Sequence, residues 1–229
     1  MMIPATLNEI EQIFLETETK QTRSLCVTAC QSGDGVTTVA SSLAERFLLA
    51  GYSTLLVDFN LFKPGFESFP YLGSDSSFQW LQPTNSKQVF TGITLPNHPS
   101  VLNNFRNPQY LNRQVEQWLE EFDKIVIDTS PILQNNMGNI PAQSVAAACS
   151  HTLLVVLGGS TSEANLANAQ QLLERSNANL IGYVLNNMNQ CSLGEEMVRE
   201  LNRLRFIPQN LRDKWNQKIL NNEWLSHIA

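Results

Sequence analysis

The stretch Ser24-Leu-Cys-Val-Thr-Ala29, running into Cys30-Gln-Ser-Gly33-Asp-Gly35-Val36-Thr37-Thr38, decides the fold. Its first six residues are short, apolar and partly β-branched, the composition of a strand buried on both faces. Two glycines punctuate the loop. From Thr37 to Ala50 apolar residues recur at helical spacing (Val39, Leu43, Phe47, Ala50) until Gly51 closes the pattern. Strand, glycine loop and helix in that order gather backbone N–H groups and the positive end of a helix dipole at one spot, which suits an anion. Taken alone, the loop also fits a tight turn that needs glycines for geometry and nothing more.

Outward from this unit the same alternation repeats. Leu7–Glu16 has apolar residues at 7, 10, 13 and 14 and predicts an opening helix, and Ser53–Asp58 predicts a second buried strand. Residues 60–100 are rich in Pro, Gly, Ser and Phe; a weak helix near Ser76–Leu81 and a short strand near Gly92–Leu95 are expected there. Beyond them, helix Pro108–Glu121 leads to strand Lys124–Asp128, helix Ile140–Cys149 to strand Thr152–Leu157, and helix Ser162–Ser176 to strand Leu180–Asn186. Two further helices, 194–204 and 209–220, close the chain. Short apolar strands alternating with helices predict a mostly parallel sheet with helices on both faces, a three-layer α/β/α domain over 1–190 with a helical extension over 191–229.

Composition narrows the function classes. The chain has 229 residues and 42% hydrophobic residues, enough for a full core, but only 16% charged ones. Amides fill the deficit, with 23 asparagines. No apolar run approaches the roughly 18 residues that span a bilayer. Met1–Glu11 has neither a basic nor an apolar leader region, so no secretory signal is expected. The net charge of −6, without a basic block, argues against nucleic acid as a partner and against direct membrane insertion or a polybasic anchor. Cys26, Cys30, Cys149 and Cys191 show no CxxC spacing, and His98, His151 and His227 are scattered, so no Cys/His metal site is expected. Reduced thiols in a cytoplasmic protein are the simplest reading.

The loop departs from the phosphate-binding pattern Gly-x4-Gly-Lys-Ser/Thr. Gly35 and Thr37 are in register, but Val36 stands at the lysine position and Cys30 at the first glycine. Two apolar strands end in aspartate, at Asp58 and Asp128, and in an open parallel sheet such residues emerge at the edge where ligands bind. Carboxylates beside the Thr37 hydroxyl are the parts that hold Mg²⁺ in nucleotide sites. Asp34 inside the loop is expected to repel a phosphate unless its carboxylate turns to solvent.

With these motifs the sequence resembles the deviant Walker (ParA/MinD-type) P-loop ATPases, and within them the bacterial tyrosine autokinases of capsule and exopolysaccharide production. Leu55-Leu-Val-Asp-Phe-Asn-Leu-Phe-Lys-Pro64 stands where the family has an Asp-x-Asp-x-x-Arg-Pro motif, and Phe122–Ile132 resembles its Walker B strand. Leu153–Val156 and Ile181–Asn187 match later strands. The resemblance implies a nucleotide site built from Gly33, Asp34, Gly35, Val36, Thr37, Thr38, Lys63 and Asn186, the last where the family contacts the base. It also implies Mg²⁺ on Thr37, Asp58 and Asp128, with the two aspartates as catalytic remnants.

Several departures accompany these matches. Gln31 stands where the ParA/MinD branch keeps a second lysine, Asn60 replaces the second aspartate, and Lys63 retains the charge of the arginine. Asn8–Glu16 lacks the arginines of the kinases' oligomerising helix, and no tyrosine follows Tyr183, so the tyrosine-cluster substrate tail of the autokinases is not expected. A charge-assisted hydrogen bond contributes about 1.5–3 kcal/mol, so losing the lysine weakens triphosphate binding and phosphoryl transfer. ATP or ADP and Mg²⁺ are expected to bind weakly or not at all. The leading expectation is a degenerate kinase-like protein docked on cytoplasmic segments of a membrane chain-length or export protein, with self-association allowed. The alternatives are an active ATPase or autokinase with a substitute cation, and a ParA/MinD-like positioning ATPase. Met197, Leu201, Leu204, Trp215, Ile219 and Trp224 form an apolar stripe in the extension that suits either core packing or a partner face.

Overall fold

The computed structural model describes residues 4–61, 63–70, 79–83, 87–95, 99–134, 138–187, 193–203 and 209–222. One sheet runs in the order β3-β4-β5-β2-β6-β1-β7-β8. Its strands are β1 (Ser24–Ala29), β2 (Thr54–Phe59), β3 (Phe66–Pro70), β4 (Gln79–Pro83), β5 (Phe90–Thr94), β6 (Lys124–Thr129), β7 (His151–Leu157) and β8 (Leu180–Asn186). The pairs β5–β2, β2–β6, β6–β1 and β1–β7 are parallel. The β3–β4 and β4–β5 pairs are antiparallel. The helices are α1 (Asn8–Thr19), α2 (Val36–Leu49), α3 (Pro99–Phe105), α4 (Pro108–Glu121), α5 (Ala142–Ala148), α6 (Glu163–Arg175), α7 (Leu193–Arg203) and α8 (Gln209–Leu220).

Every residue of β1, β2 and β6 is buried, as their unbroken apolar runs require. Alternate residues feed two cores. Cys26, Leu55, Val57, Ile125 and Ile127 face α3, α4, α5 and α6. Leu25, Val27, Leu56 and Val126 face α1 and α2. The expected mostly parallel sheet between two helical layers is thus observed.

The segment 60–100 differs from its sequence reading. Residues 79–81, expected at the end of a weak helix, lie in β4; Ser76–Phe78 fall outside the described residues. The reason is tertiary. Leu81 is fully buried against Gly92 of β5, where a Cβ would lie 2.3 Å from Leu81 Cδ1 and 2.5 Å from the Leu56 carbonyl oxygen. Only glycine at 92 admits Leu81, and that contact fixes β4 as a strand. β5 begins at Phe90, two residues before the expected strand, and α3 was not anticipated.

α1 is fastened to α2 by Ile10 and Phe14 in the second core and by Arg46, which donates to both carboxylate oxygens of Glu11 and stacks 3.8 Å over the Phe14 ring. At the same end of the sheet the buried Lys124 Nζ donates to Glu18 Oε1 (2.6 Å) and to the Thr22 carbonyl (2.8 Å) and lies 4.7 Å from the Tyr52 ring.

The chain divides into two compact units, Met1–Val156 with Thr161–Leu185, and Leu157–Ser160 with Asn186–Ala229. In the second, α7 and α8 pack together, with Asn216 Nδ2 donating to Asn202 Oδ1 at 3.0 Å. Met197 and Trp215 of the apolar stripe are exposed, while Leu204 and Trp224 fall outside the described residues. No described helix is long and apolar enough to cross a membrane.

Candidate functional site

The turn from β1 into α2 is built as its glycines predict. Gly33 (φ 97°) and Gly35 (φ 104°) both take the left-handed conformation that side chains disfavour. Gly35 is the N-cap of α2 and no side chain caps that end, nor does an acidic residue stand in the first turn. The first N–H groups of a 14-residue helix are therefore left for an external acceptor. They border a cavity of about 510 Å³ lined by the loop (Gln31, Ser32, Gly33, Gly35), by Val36, Thr37 and Thr38 of α2, by Asn60, Lys63 and Gly65, and by Thr129 at the end of β6.

Parity along the strands brings the two aspartates together next to Thr37 of the cavity wall, though neither lines the cavity itself. Asp58 shares the face of Leu56, and Asp128 that of Val126, so both side chains project on the α2 side at the carboxyl ends of β2 and β6. Asp58 is 3% exposed and Asp128 0%. Asp58 Oδ1 accepts from the Asn60 N–H at 2.9 Å. Asp58 Oδ2 and both oxygens of Asp128 have no hydrogen-bond partner among the described residues. Thr37 lies near enough to ease the ionisation of Asp128 without reaching hydrogen-bond geometry.

Burial pushes the Asp58 carboxyl up to about 6, although the Asn60 and Gly65 N–H groups oppose the rise. Burial, and then the charge of Asp58, hold Asp128 well above the usual carboxylate range. Orphaned buried carboxylate oxygens beside a threonine hydroxyl are hard donors suited to Mg²⁺, so Thr37, Asp58 and Asp128 fit the expected ion.

The other expected residues are placed as follows. Asp34 turns neither to solvent nor into the cavity. It is 2% exposed, and its Oδ2 accepts from the Gln31 N–H at 3.0 Å, stitching the loop from inside. The repulsion expected of Asp34 is thereby reduced, since burial also raises its pKa and favours the neutral form. Val36 is 8% exposed and belongs to the apolar cluster of α1, α2 and the sheet, so the helix–loop junction carries an aliphatic group where a phosphate-binding cation is usual. Lys63 is the single charged side chain among the described residues that line the cavity. Asn186 closes β8, its carbonyl accepting from the Gly158 N–H at 2.8 Å.

Gly65 is a contributor that sequence reasoning missed. A Cβ there would lie 2.3 Å from Thr37 Cγ2 and 2.7 Å from Thr37 Oγ1, so the segment after β2 rests directly on the loop threonine. The only sequence signal was its place after Pro64. Among the described residues the thiols are poor nucleophiles: burial pushes Cys26 up to about 12 and Cys30 up to about 11, and Cys149 is raised as well; Cys191 lies outside the described residues.

No family model matches the chain. The tyrosine-protein kinase CpsD of Streptococcus pneumoniae serotype 4 is 30% identical over 181 residues, spanning 72% of this chain and 76% of the relative. Among solved structures, the kinase domain of the Escherichia coli tyrosine kinase ETK superposes with a TM-score of 0.57 at 22% identity, covering 77% of this chain and 71% of that one. The septum site-determining protein MinD of Pyrococcus horikoshii, complexed with Mg-ADP, gives 0.53 at 17% identity over 85% and 77%. Both likenesses are of fold alone, while the relationship to CpsD extends to sequence over about three quarters of that protein's length. By that relationship the chain belongs to the family of bacterial tyrosine-protein kinases that includes CpsD.

Proposed function

We propose that this chain is a kinase-like protein of exopolysaccharide (capsule) biosynthesis that has lost tyrosine autokinase turnover. It acts in the cytoplasm as the interaction partner of a membrane chain-length or export protein. The observation that carries the reading is Val36, an aliphatic side chain packed into the core at the loop–helix junction. Phosphoryl transfer depends on positioning and on cations that neutralise developing charge. A valine supplies neither. The pathway and the membrane partner are supported by kinship to the tyrosine-protein kinases and not by any side chain of the site.

In this reading the remaining parts bind without turning over. Gly33, Gly35, Val36, Thr37 and Thr38 offer backbone N–H groups to phosphate, and Asp34 braces the loop from behind. Thr37, Asp58 and Asp128 would hold Mg²⁺, which when bound neutralises phosphate charge. Asn186 is assigned to the base. The exposed Met197 and Trp215 of α7 and α8 are the partner-facing residues.

Incubation with Mg·ATP, followed by phosphate and phosphotyrosine measurement, tests the loss of turnover. No release above that of Asp58→Ala is expected, and turnover abolished by Asp58→Ala sinks the reading. Pull-down from membranes should recover a polysaccharide chain-length or export protein, and repeated failure counts against the partner role. The second reading, an ATPase using a substitute cation, is favoured by Lys63 at the cavity wall; the same turnover assay separates the two.

A further inference from the structure

We propose that Lys63 fixes a polyphosphate group in this cavity, and that Asn60 is its positioning residue, holding Lys63 in place without giving its ammonium a carboxylate rival. The inference rests on the reading of the cavity as a nucleotide site and names the cation on which that site depends.

The charge inventory of the wall is short. Val36 brings no cation, Asp34 is turned away onto the Gln31 N–H, and Lys63 is the one charged side chain among the described lining residues. Its ammonium makes no ion pair or hydrogen bond with a described residue. A flexible lysine stem ending in a compact charge can follow an anion that the fixed N–H groups of Gly35–Thr38 hold.

The backbone delivers Lys63 to the wall. Asp58 Oδ1 accepts from Asn60 N at 2.9 Å, and the Gly65 N–H also serves the Asp58 carboxylate. Asn60 Oδ1 accepts from Lys63 N at 3.2 Å. Gly65 then lands on Thr37 with no room for a side chain. Residues 58–61 and 63–65 thus form a strap fastened at Asp58 and at Thr37, with Lys63 held by the Asn60 side chain.

The chemistry of residue 60 explains why an amide stands there. An aspartate would supply the same acceptor to Lys63 N, but its charge would line the same cavity, pair with the ammonium and repel phosphate. The amide keeps the acceptor and drops the charge. Positions 31 and 36 lack the cations, and position 60 the anion, of the pattern the sequence resembles, so the amide at 60 leaves Lys63 without a carboxylate rival there.

The test is calorimetric titration of ADP and of inorganic pyrophosphate, with Mg²⁺, into the full chain and its variants. Wild type should bind. Lys63→Met should weaken affinity about ten- to a hundredfold, and Lys63→Arg should stay within a few-fold. Asn60→Asp should weaken it about tenfold at an unchanged thermal midpoint, and Val36→Lys should restore affinity in the Asn60→Asp background. Wild-type affinity in Lys63→Met, while Thr37→Ala loses binding, overturns the proposal and leaves the nucleotide site standing. Silence in wild type with binding in Val36→Lys likewise overturns it, since Lys63 then replaces nothing. Silence in every variant, Val36→Lys included, removes the nucleotide site and the proposal together.

Discussion

Asp58 and Asp128 are direct partners across the parallel β2–β6 pair, side by side on the α2 face of the sheet. Three of their four oxygens lack a hydrogen-bond partner among the described residues, and neither side chain is more than 3% exposed. Two buried like charges in register cannot both ionise without a cation between them, so near neutral pH the pair retains proton unless one binds. This arrangement is poor for stability and good for capturing a divalent ion. The protein tolerates the first to have the second.

Both folded pKa values lie above the unfolded value of about 4, with Asp58 up to about 6. The folded state therefore holds protons that the unfolded state releases. The stability contribution of the pair is fully present below pH 4 and is lost as pH rises through about 6 and beyond. In chelator, Asp128→Asn should be more stable than wild type at pH 7.5 by about 1–3 kcal/mol, with the gap closing toward pH 5. Urea unfolding at the two pH values measures it; a gap that widens on acidification contradicts the assignment.

Loading the pair with a divalent ion must expel the retained proton. Titration of Mg²⁺ or Mn²⁺ at pH 6.5 in two buffers of different ionisation enthalpy should reveal proton release. Asp58→Asn and Asp128→Asn should each abolish both the binding and the release.

Gly65→Ala should act on a residue it does not replace. The added methyl meets Thr37 at its hydroxyl and methyl, so the strap or the loop has to move. A destabilisation of about 1–3 kcal/mol is expected for such overpacking, and Mg·ADP affinity should fall further than stability alone explains. Thermal melting and calorimetry on one preparation separate the two effects.

Far from the cavity, Glu18→Gln strands the Lys124 ammonium in a site where its side chain is 7% exposed. A loss of about 2–4 kcal/mol is expected from an uncompensated buried charge, and Glu18→Gln with Lys124→Met should recover much of it. Because its hydrogen bonds to Lys124 and Tyr52 hold the Glu18 carboxyl below its ordinary value, against the opposing cost of burial, its contribution is present above pH 4.5 and fades as pH falls. Urea midpoints across that range report it.

The glycine loop and the strand-end aspartates were legible because each sits in an unbroken local pattern: Gly33 and Gly35 after β1, Asp58 and Asp128 after apolar runs. β3 and β4 were not. The pairing of β4 with β5 is decided by Gly92 making room for Leu81, a contact between strands that no period announces. α3 is seven residues with Leu102 and Phe105 as its buried pair, too short to display a helical repeat. The identity of Asp34 was plain but its direction was not, since whether a carboxylate faces a phosphate or its own loop is settled by the backbone around it.

The register of β1 carries a consequence for how the chain is made. Ser24 through Val27 pair with Ile125 through Asp128, and the other edge of β1 waits for β7. During synthesis at about 5–20 residues per second, this fully buried strand emerges roughly 5–20 s before any partner exists for it. Its six residues are uncharged and include Leu25, Cys26, Val27 and Ala29, which is the profile of a segment prone to capture by other nascent chains. Expression yield should therefore respond more to chaperone supply and growth temperature than to any substitution at the cavity.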